Sequence, residues 1–372
     1  MPKQITLGTA QSQPGTIQYG QYELITHPTG HTDFLPVIIA QGIADGPCFW
    51  LTGGIHGNEH TGPLVIYKLI TAELVAQLKG TIIAIPGLNP AGLRTEKRVP
   101  YHDFTDPNRL WPDGRSPKKE PDPEKRPPSA LEQVYARLFE EIVATADYLI
   151  DYHNSYIHSI PFVFRDRVLY RTHQNKAQNR VEAEALSARL EEMLTAFGHT
   201  NITEYPVEKY IDEDLHRSTS GAILLLKRIP AFTVELGSGL MPDLAIVDAA
   251  VVGTRNVLRW AGMLTSDKES ITGIKVVDPG FQVRRSRALR VDQPCVVIHQ
   301  VKSGDLVQAG NIIAEMRDMW GRSLGVIQSE HDGLILSPSY GIYYYPGQTV
   351  VYMAVRDENP LVGPYPKDYF KA

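Results

Sequence analysis

Leu51-Thr52-Gly53-Gly54-Ile55-His56-Gly57-Asn58-Glu59-His60 is the stretch on which the reading of this chain turns. The apolar run over residues 48–51 reads as a buried strand, and the glycines after it read as a tight turn. On that turn stand an imidazole, His56, and a carboxylate, Glu59. Zinc takes His nitrogen and Asp or Glu oxygen, and a catalytic zinc centre usually combines three protein ligands with one open position. His56 and Glu59 supply two of the three. The third has to come from elsewhere in the chain.

Residues 146–155 (ADYLIDYHNS) supply it. They read as a second strand that ends in polar residues, with His153 at its end. Residues 231–239 (AFTVELGSG) repeat the pattern, an apolar run closing on Glu235 and glycines. In an open α/β sheet, ligands bind beyond the carboxyl ends of the parallel strands. A lone His-x-x-Glu, a buried His or an acid near a helix start is commonplace. Three strand ends that each deliver a zinc-compatible or acid/base residue point to a metal centre with a base beside it.

The surrounding segments give a βαβ framework. Residues 16–40 read as two strands around His27-Pro28-Thr29-Gly30. Residues 61–78 read as one helix with Leu64, Tyr67, Ile70, Leu74 and Leu78 on its apolar face, closed by Gly80, and residues 81–86 as the next strand. Strand, turn, helix and strand favour a parallel sheet. Helices are also expected over 130–146, 177–197 and 247–264. The proline- and charge-rich stretch 112–129 reads as a mobile surface insert, with a lid as the functional alternative.

Composition shifts after residue 265. Residues 270–357 hold short β-type runs separated by glycine turns such as Lys302-Ser303-Gly304-Asp305 and Tyr345-Pro346-Gly347-Gln348. The expected division is a catalytic α/β domain over 1–265, an all-β domain over 270–357 and a tail over 358–372. Residues 301–310 look like the turn of biotinyl/lipoyl-type barrels, but no presented lysine follows, so the module reads as a structural barrel.

A chain of 372 residues with 42% hydrophobic content can bury a full core. A net charge of -5 without a basic stripe argues against a nucleic-acid partner. No window is apolar enough to span a membrane, and the N-terminal residues lack an apolar core of secretory length, so a cytoplasmic protein is expected. Cys48 and Cys295 lie in apolar runs and read as buried thiols outside any metal site. The oligomeric state stays open, a homo-oligomer included.

Between the metal-ligand segments lie Arg94, Lys97, Arg98 and then Asp106-Pro107-Asn108-Arg109. Arg grips a carboxylate with a planar fork that Lys cannot reproduce. A hydrolase acting on an amino-acid derivative needs one such group for the α-carboxylate and a second cation for the oxyanion. Asn108 and Arg109 suit the first task and Arg98 the second. A solvated charge cluster is the alternative reading.

Five motifs in order then carry a resemblance: His56-Gly57-Asn58-Glu59, Asn89-Pro90, Asp106-Pro107-Asn108-Arg109, Asp151-Tyr152-His153-Asn154-Ser155 and Val234-Glu235-Leu236-Gly237. Together they resemble the succinylglutamate desuccinylase/aspartoacylase family of the zinc carboxypeptidase clan. The resemblance implies a mixed, largely parallel sheet flanked by helices, with a small all-β C-terminal barrel-like domain. It implies one Zn²⁺ per chain on His56, Glu59 and His153, and Glu235 as general base. Arg98 would polarise the scissile carbonyl, and Asn108 and Arg109 would bind the substrate carboxylate. The family's C-terminal tyrosine contact makes Tyr344 the candidate among Tyr343, Tyr344 and Tyr345. Two departures stand out. The family's Asp-Leu-Asn-Arg is Asp-Pro-Asn-Arg here, and Leu224 and Leu225 occupy the region where aspartoacylases carry an arginine for the acidic side chain.

The expected activity is therefore hydrolysis of a small N-acylated amino acid or related amide. Its rivals are a metallocarboxypeptidase acting on peptides and a catalytically silent binding protein on the same fold. An N-acetylated diamino acid or acylated polyamine-like compound remains open as substrate.

Overall fold

The computed structural model describes residues 2–115, 126–173, 175–286 and 289–370. Most of the 112–129 insert lies outside the described residues, and with it the lid reading. Four neighbouring parallel strands form the centre of the sheet: Ala231–Glu235, Tyr148–His153, Ala44–Gly53 and Lys79–Ile85. From Cys48, Gly80, Leu149 and Ala231 onward their residues are almost wholly buried. That is why they read as continuous apolar runs and not as alternating ones. Beyond Lys79–Ile85 the sheet continues antiparallel through Thr32–Gln41 and Thr16–Thr26.

On the other side Phe162–Arg165 runs antiparallel to Ala231–Glu235 and parallel to Thr200–Thr203. The sheet does not stop there. Thr203 pairs with Arg284, and through Val283–Ser286 the C-terminal strands Val351–Arg356, Gly333–Pro338 and Leu306–Val307 join it. One twelve-stranded mixed sheet results. The remaining C-terminal strands form a four-stranded antiparallel sheet, Ser323–Gln328, Ile312–Arg317, Cys295–His299 and Tyr343–Tyr344, with a core cluster of its own.

Helices Thr61–Leu69, Lys176–Phe197 and Leu244–Trp260 pack together, and Ala130–Thr145 packs with Thr219–Lys227. The expected helix over 61–78 is two helices. Ile70 leaves the helical region, and Thr71 caps a new one, Ala72–Gln77, by accepting from the Leu74 backbone N–H. The break re-aims the first helix. It buries Val65, Ile66 and Leu69 and leaves Leu64 and Tyr67 outward. Gly80 does not end that helix but lies within the strand Lys79–Ile85, where a Cβ would meet the Pro47 carbonyl oxygen at 2.1 Å. The last residues return to the α/β part. Val362–Pro364 pairs in parallel with Val168–Tyr170, and Tyr365 and Tyr369 are buried with Leu169 and Tyr210. Cys48 and Cys295 are free and buried. Among the described residues, no helix is long and apolar enough to cross a membrane.

Candidate metal centre and its cleft

Strand register does the first work. His153 and Glu235 are direct cross-strand partners, as are Asp151 and Thr233. The His56 turn follows the adjacent strand Ala44–Gly53 and is held by close backbone packing. A Cβ on Gly57 would sit 1.9 Å from the Gly92 carbonyl carbon, so a larger residue does not fit. Asn89 explains the Asn-Pro motif. Its Oδ1 accepts from the Gly92 N–H at 2.8 Å, capping the helix Pro90–Thr95, and its Nδ2 donates to the Ile55 carbonyl at 3.2 Å. One side chain thus starts a helix and clamps the turn that carries His56.

Asn154 ties the other strand ends together. Its backbone N–H donates to Glu59 Oε2 at 3.1 Å, and its Nδ2 reaches the Leu236 carbonyl at 3.0 Å and Thr61 Oγ1 at 2.8 Å. Glu59 then receives both imidazoles. His56 Nδ1 lies 2.7 Å from Oε1, and His153 Nδ1 lies 2.9 Å from Oε2. Each ring's far nitrogen meets another carboxylate, His56 Nε2 at Asp106 (3.0 Å) and His153 Nε2 at Asp151 (2.8 Å). Asp151 is itself fixed by the Thr52 hydroxyl at 2.6 Å.

Two imidazoles and a carboxylate, all buried, therefore converge with donor atoms within 4.8 Å of one another. A carboxylate on the outer nitrogen of a ligating His fixes the tautomer and raises ligand basicity. Three converging lone-pair donors with such support fit a zinc ion with an open position.

Free of metal, the cluster is held together by its own charges, and a metal would take the place of a proton on His153. Burial pushes the Glu59 carboxyl up, but the charges and hydrogen bonds of His56 and His153 outweigh it and hold the group far below the usual range. Burial would lower His153, and Asp151 and Glu59 raise it well above an ordinary imidazole. Glu235 is the exception among the acids. Burial pushes its pKa up to about 8, against the pull of His153, and Glu59 adds to the rise. Its Oε2 is buried with no hydrogen-bond partner among the described residues. Few buried polar atoms are left in that condition, and an enzyme site is one place where they are.

Arg98 donates to Asp106 Oδ2 at 2.7 Å and lies 3.5 Å from Glu59 Oε1. Arg109 makes no ion pair among the described residues. Its Nε and Nη1 donate to the backbone carbonyls of Glu213 (2.9 Å) and Asn108 (2.7 Å), and burial pulls its pKa down. Asn108 Oδ1 accepts from the backbone and hydroxyl of Thr219, and its Nδ2 lies 3.4 Å from His153 Nε2.

A cleft of about 930 Å³ opens over these groups and brings His56, Glu59, His153, Glu235, Arg98 and Arg109 to one wall system. Asn108 is there too; Tyr344 is not. Tyr344 is only 4% exposed, and its hydroxyl shares a 2.6 Å hydrogen bond with Ser339. Tyr343 and Tyr345 point outward, 61% and 64% exposed. Their strand pairs with Cys295–His299 in the small sheet, away from the cleft. The C-terminal tyrosine that does line it is Tyr352, stacked on Tyr156. Sequence reasoning also missed Asp106, Asp151 and Asn154 as supports. The i, i+2 spacing of Asp151 and His153 on a strand, which puts both on one face, was the available signal.

Asp166 and Glu204 lie on the cleft's other side. Asp166 accepts from the Tyr210 hydroxyl at 2.9 Å and from Ser220 at 3.1 Å. Burial, and then the Glu204 charge, raises its pKa from 3.8 to about 7. The folded state therefore holds this proton more tightly than the unfolded chain does. The group costs nothing below about pH 4, and its destabilising effect grows until the pH passes about 7. Asp166→Asn, which can accept from Tyr210 and donate to Ser220 Oγ once that hydroxyl turns to Thr233, is expected to raise the melting temperature at pH 8 and leave it nearly unchanged at pH 4. Equal shifts at the two pH values would rule this out.

Fold and site together define an α/β protein with a candidate metal centre at the ends of parallel strands. Residues 45–261 match the succinylglutamate desuccinylase/aspartoacylase catalytic domain, and the chain belongs to that family. Solved structures share its fold. A succinylglutamate desuccinylase from Silicibacter sp. TM1040 is 18% identical, with 92% of this chain and 95% of that one covered and a TM-score of 0.69. A succinylglutamate desuccinylase/aspartoacylase from Rhodobacter sphaeroides is 18% identical over 92% and 96%, with a TM-score of 0.68. The product-bound ectoine utilization protein EutE (DoeB) from Ruegeria pomeroyi is 17% identical over 91% and 95%, with a TM-score of 0.68. No curated protein matches the chain in sequence.

Proposed function

We propose that this protein is a zinc-dependent amidohydrolase that removes the acyl group from a small N-acyl amino acid or related amide. The observation that carries the reading is the cross-strand pair His153–Glu235, which sets a half-buried acid, its Oε2 buried and unpartnered among the described residues, beside the His56–Glu59–His153 cluster. His56, Glu59 and His153 would hold one zinc ion per chain. When bound, the ion supplies Lewis-acid chemistry to water and to the scissile carbonyl.

The chain's own groups do the rest. Glu235 Oε2 accepts the proton of the attacking water and returns it to the leaving amine. Arg98, anchored by Asp106, offsets the charge that develops on the carbonyl oxygen. Arg109, which makes no ion pair among the described residues, receives the substrate carboxylate, and Asn108 helps position it. We include in this proposal a catalytic unit over 1–265 and an all-β unit over 270–357, since Tyr352 and Arg285 bring the latter to the cleft wall.

The direct test is amine release from N-acetyl, N-succinyl and N-formyl amino acids by the zinc-loaded protein. Turnover of one series, lost with a chelator and restored by zinc, is expected. Cleavage of short peptides with no turnover of the panel would overturn the reading. The arginines should separate kinetically. Arg98→Ala is expected to lower kcat by about 10²–10³, the usual cost of losing an oxyanion donor. Arg109→Ala is expected to raise KM by about tenfold or more, with a smaller effect on kcat. The opposite pattern would exchange their roles. Asp151→Asn leaves all three zinc ligands in place but removes a support, so zinc affinity should fall about 10–100-fold in competition titrations. An unchanged affinity would reduce Asp151 to a packing role.

A further inference from the structure

We propose that the substrate carboxylate is held between two arginines, Arg109 of the catalytic unit and Arg285 of the C-terminal strand Val283–Ser286, so that the β-unit supplies a specificity-determining residue. The inference rests on the N-acyl amino acid reading of the cleft and extends it to a residue that no motif of the chain marks.

Arg285 lines the cleft with Arg109 and Glu235. Its charge is felt by both. It opposes the cation at Arg109 and favours the anion at Glu235. A carboxylate that reached both guanidinium groups would gain charge-assisted hydrogen bonds from each. Asp106 acts on the Arg109 charge but is held by Arg98 and His56, and the side-chain hydrogen bonds of Arg109 among the described residues go to backbone carbonyls.

Arg285 is oriented for binding. Glu204 Oε1 accepts from its Nη1 at 2.7 Å, and its guanidinium lies over the rings of Phe164 and Tyr205 at 4.9 Å each. A carboxylate on one Nη and aromatic faces beside the plane fix a guanidinium while leaving other donors of its fork for a ligand. Glu204 already pairs with Arg285, which therefore meets a ligand as an ion-paired guanidinium, and Asp166 lines the same cleft. Burial and Glu204 hold Asp166 toward its neutral form, so it adds no second full charge beside that pair. The strand that carries Arg285 is fixed at both edges, by Thr203 on one side and by Val351–Arg356 on the other. The leucines at 224 and 225 are buried in the helix Thr219–Lys227 and present nothing to the cleft. Arg285 shares the carboxylate of Arg109 and leaves the region of those leucines without a cation for an acidic side chain.

The test compares binding of N-acetylalanine and of its carboxamide, which differ only in the carboxylate, to zinc-loaded protein by calorimetry. Wild type is expected to prefer the carboxylate form. Arg285→Gln and Arg109→Gln should each reduce that preference by about tenfold. The double variant should lose little more than either single one, because one carboxylate is shared. Arg285→Lys keeps a cation beside Glu204 and guards against a folding defect; it should retain the melting temperature and part of the preference. Full preference in Arg285→Gln, or losses that multiply in the double variant, would overturn the shared clamp while leaving the deacylase reading in place. No preference in wild type would overturn both.

Discussion

Replacing His153 by alanine is expected to abolish stoichiometric zinc binding while the fold survives. His153 is the one ligand candidate that comes from the strand Tyr148–His153, and its Nδ1 meets Glu59 from the side opposite His56. Without it the cluster keeps one imidazole and one carboxylate, which is below the three protein ligands of a catalytic zinc site. The loss leaves Asp151 and Glu59 as buried acids with one fewer cation near them, so some destabilisation accompanies it. Metal analysis after dialysis reads the first effect, and circular dichroism with thermal melting reads the second. His56→Ala should behave alike. Stoichiometric zinc in a well-folded His153→Ala protein would remove the central claim about this cleft.

What the sequence made legible is the part of the site encoded locally. His56, Glu59, His153 and Glu235 each stand where an apolar run ends, and in a parallel sheet those ends share one edge. Local pattern is therefore enough to bring them together. The supports are less legible because they act across the chain. Asp106 reaches His56 over fifty positions of sequence, and Arg285 enters through the pairing Thr203↔Arg284. No periodicity announces that pairing. The β-type runs after residue 270 read as a barrel of their own, yet four of their strands extend the large sheet. Tyr344 shows the limit of a period-two argument. Alternation correctly separates Tyr344 from Tyr343 and Tyr345, but it says nothing about which side faces the cleft. The helix break at Ile70–Thr71 follows from a capping threonine whose effect outweighed the apolar spacing of Leu64 and Tyr67.

Glu235→Gln is expected to leave zinc bound and the protein folded, and to lower turnover by a factor on the order of 10² or more. The substitution keeps the shape of the side chain and its place opposite His153, so the metal cluster has no reason to rearrange. It removes the capacity to take a proton at the oxygen that has no other partner among the described residues. Burial with Glu59 nearby disfavours the ionised acid in the folded chain, and the neutral amide escapes that penalty. Stability near neutral pH should therefore hold or rise while activity falls. That opposition of signs separates a proton-transfer role from a structural one, since a residue needed for packing would lose both together. Metal content, melting temperature and the rate at saturating substrate, measured on one preparation, read all three. A variant that keeps most of its turnover would place the base elsewhere in the cleft. Asp166 would then be the next acid to replace, because it too lines the cleft with a raised pKa.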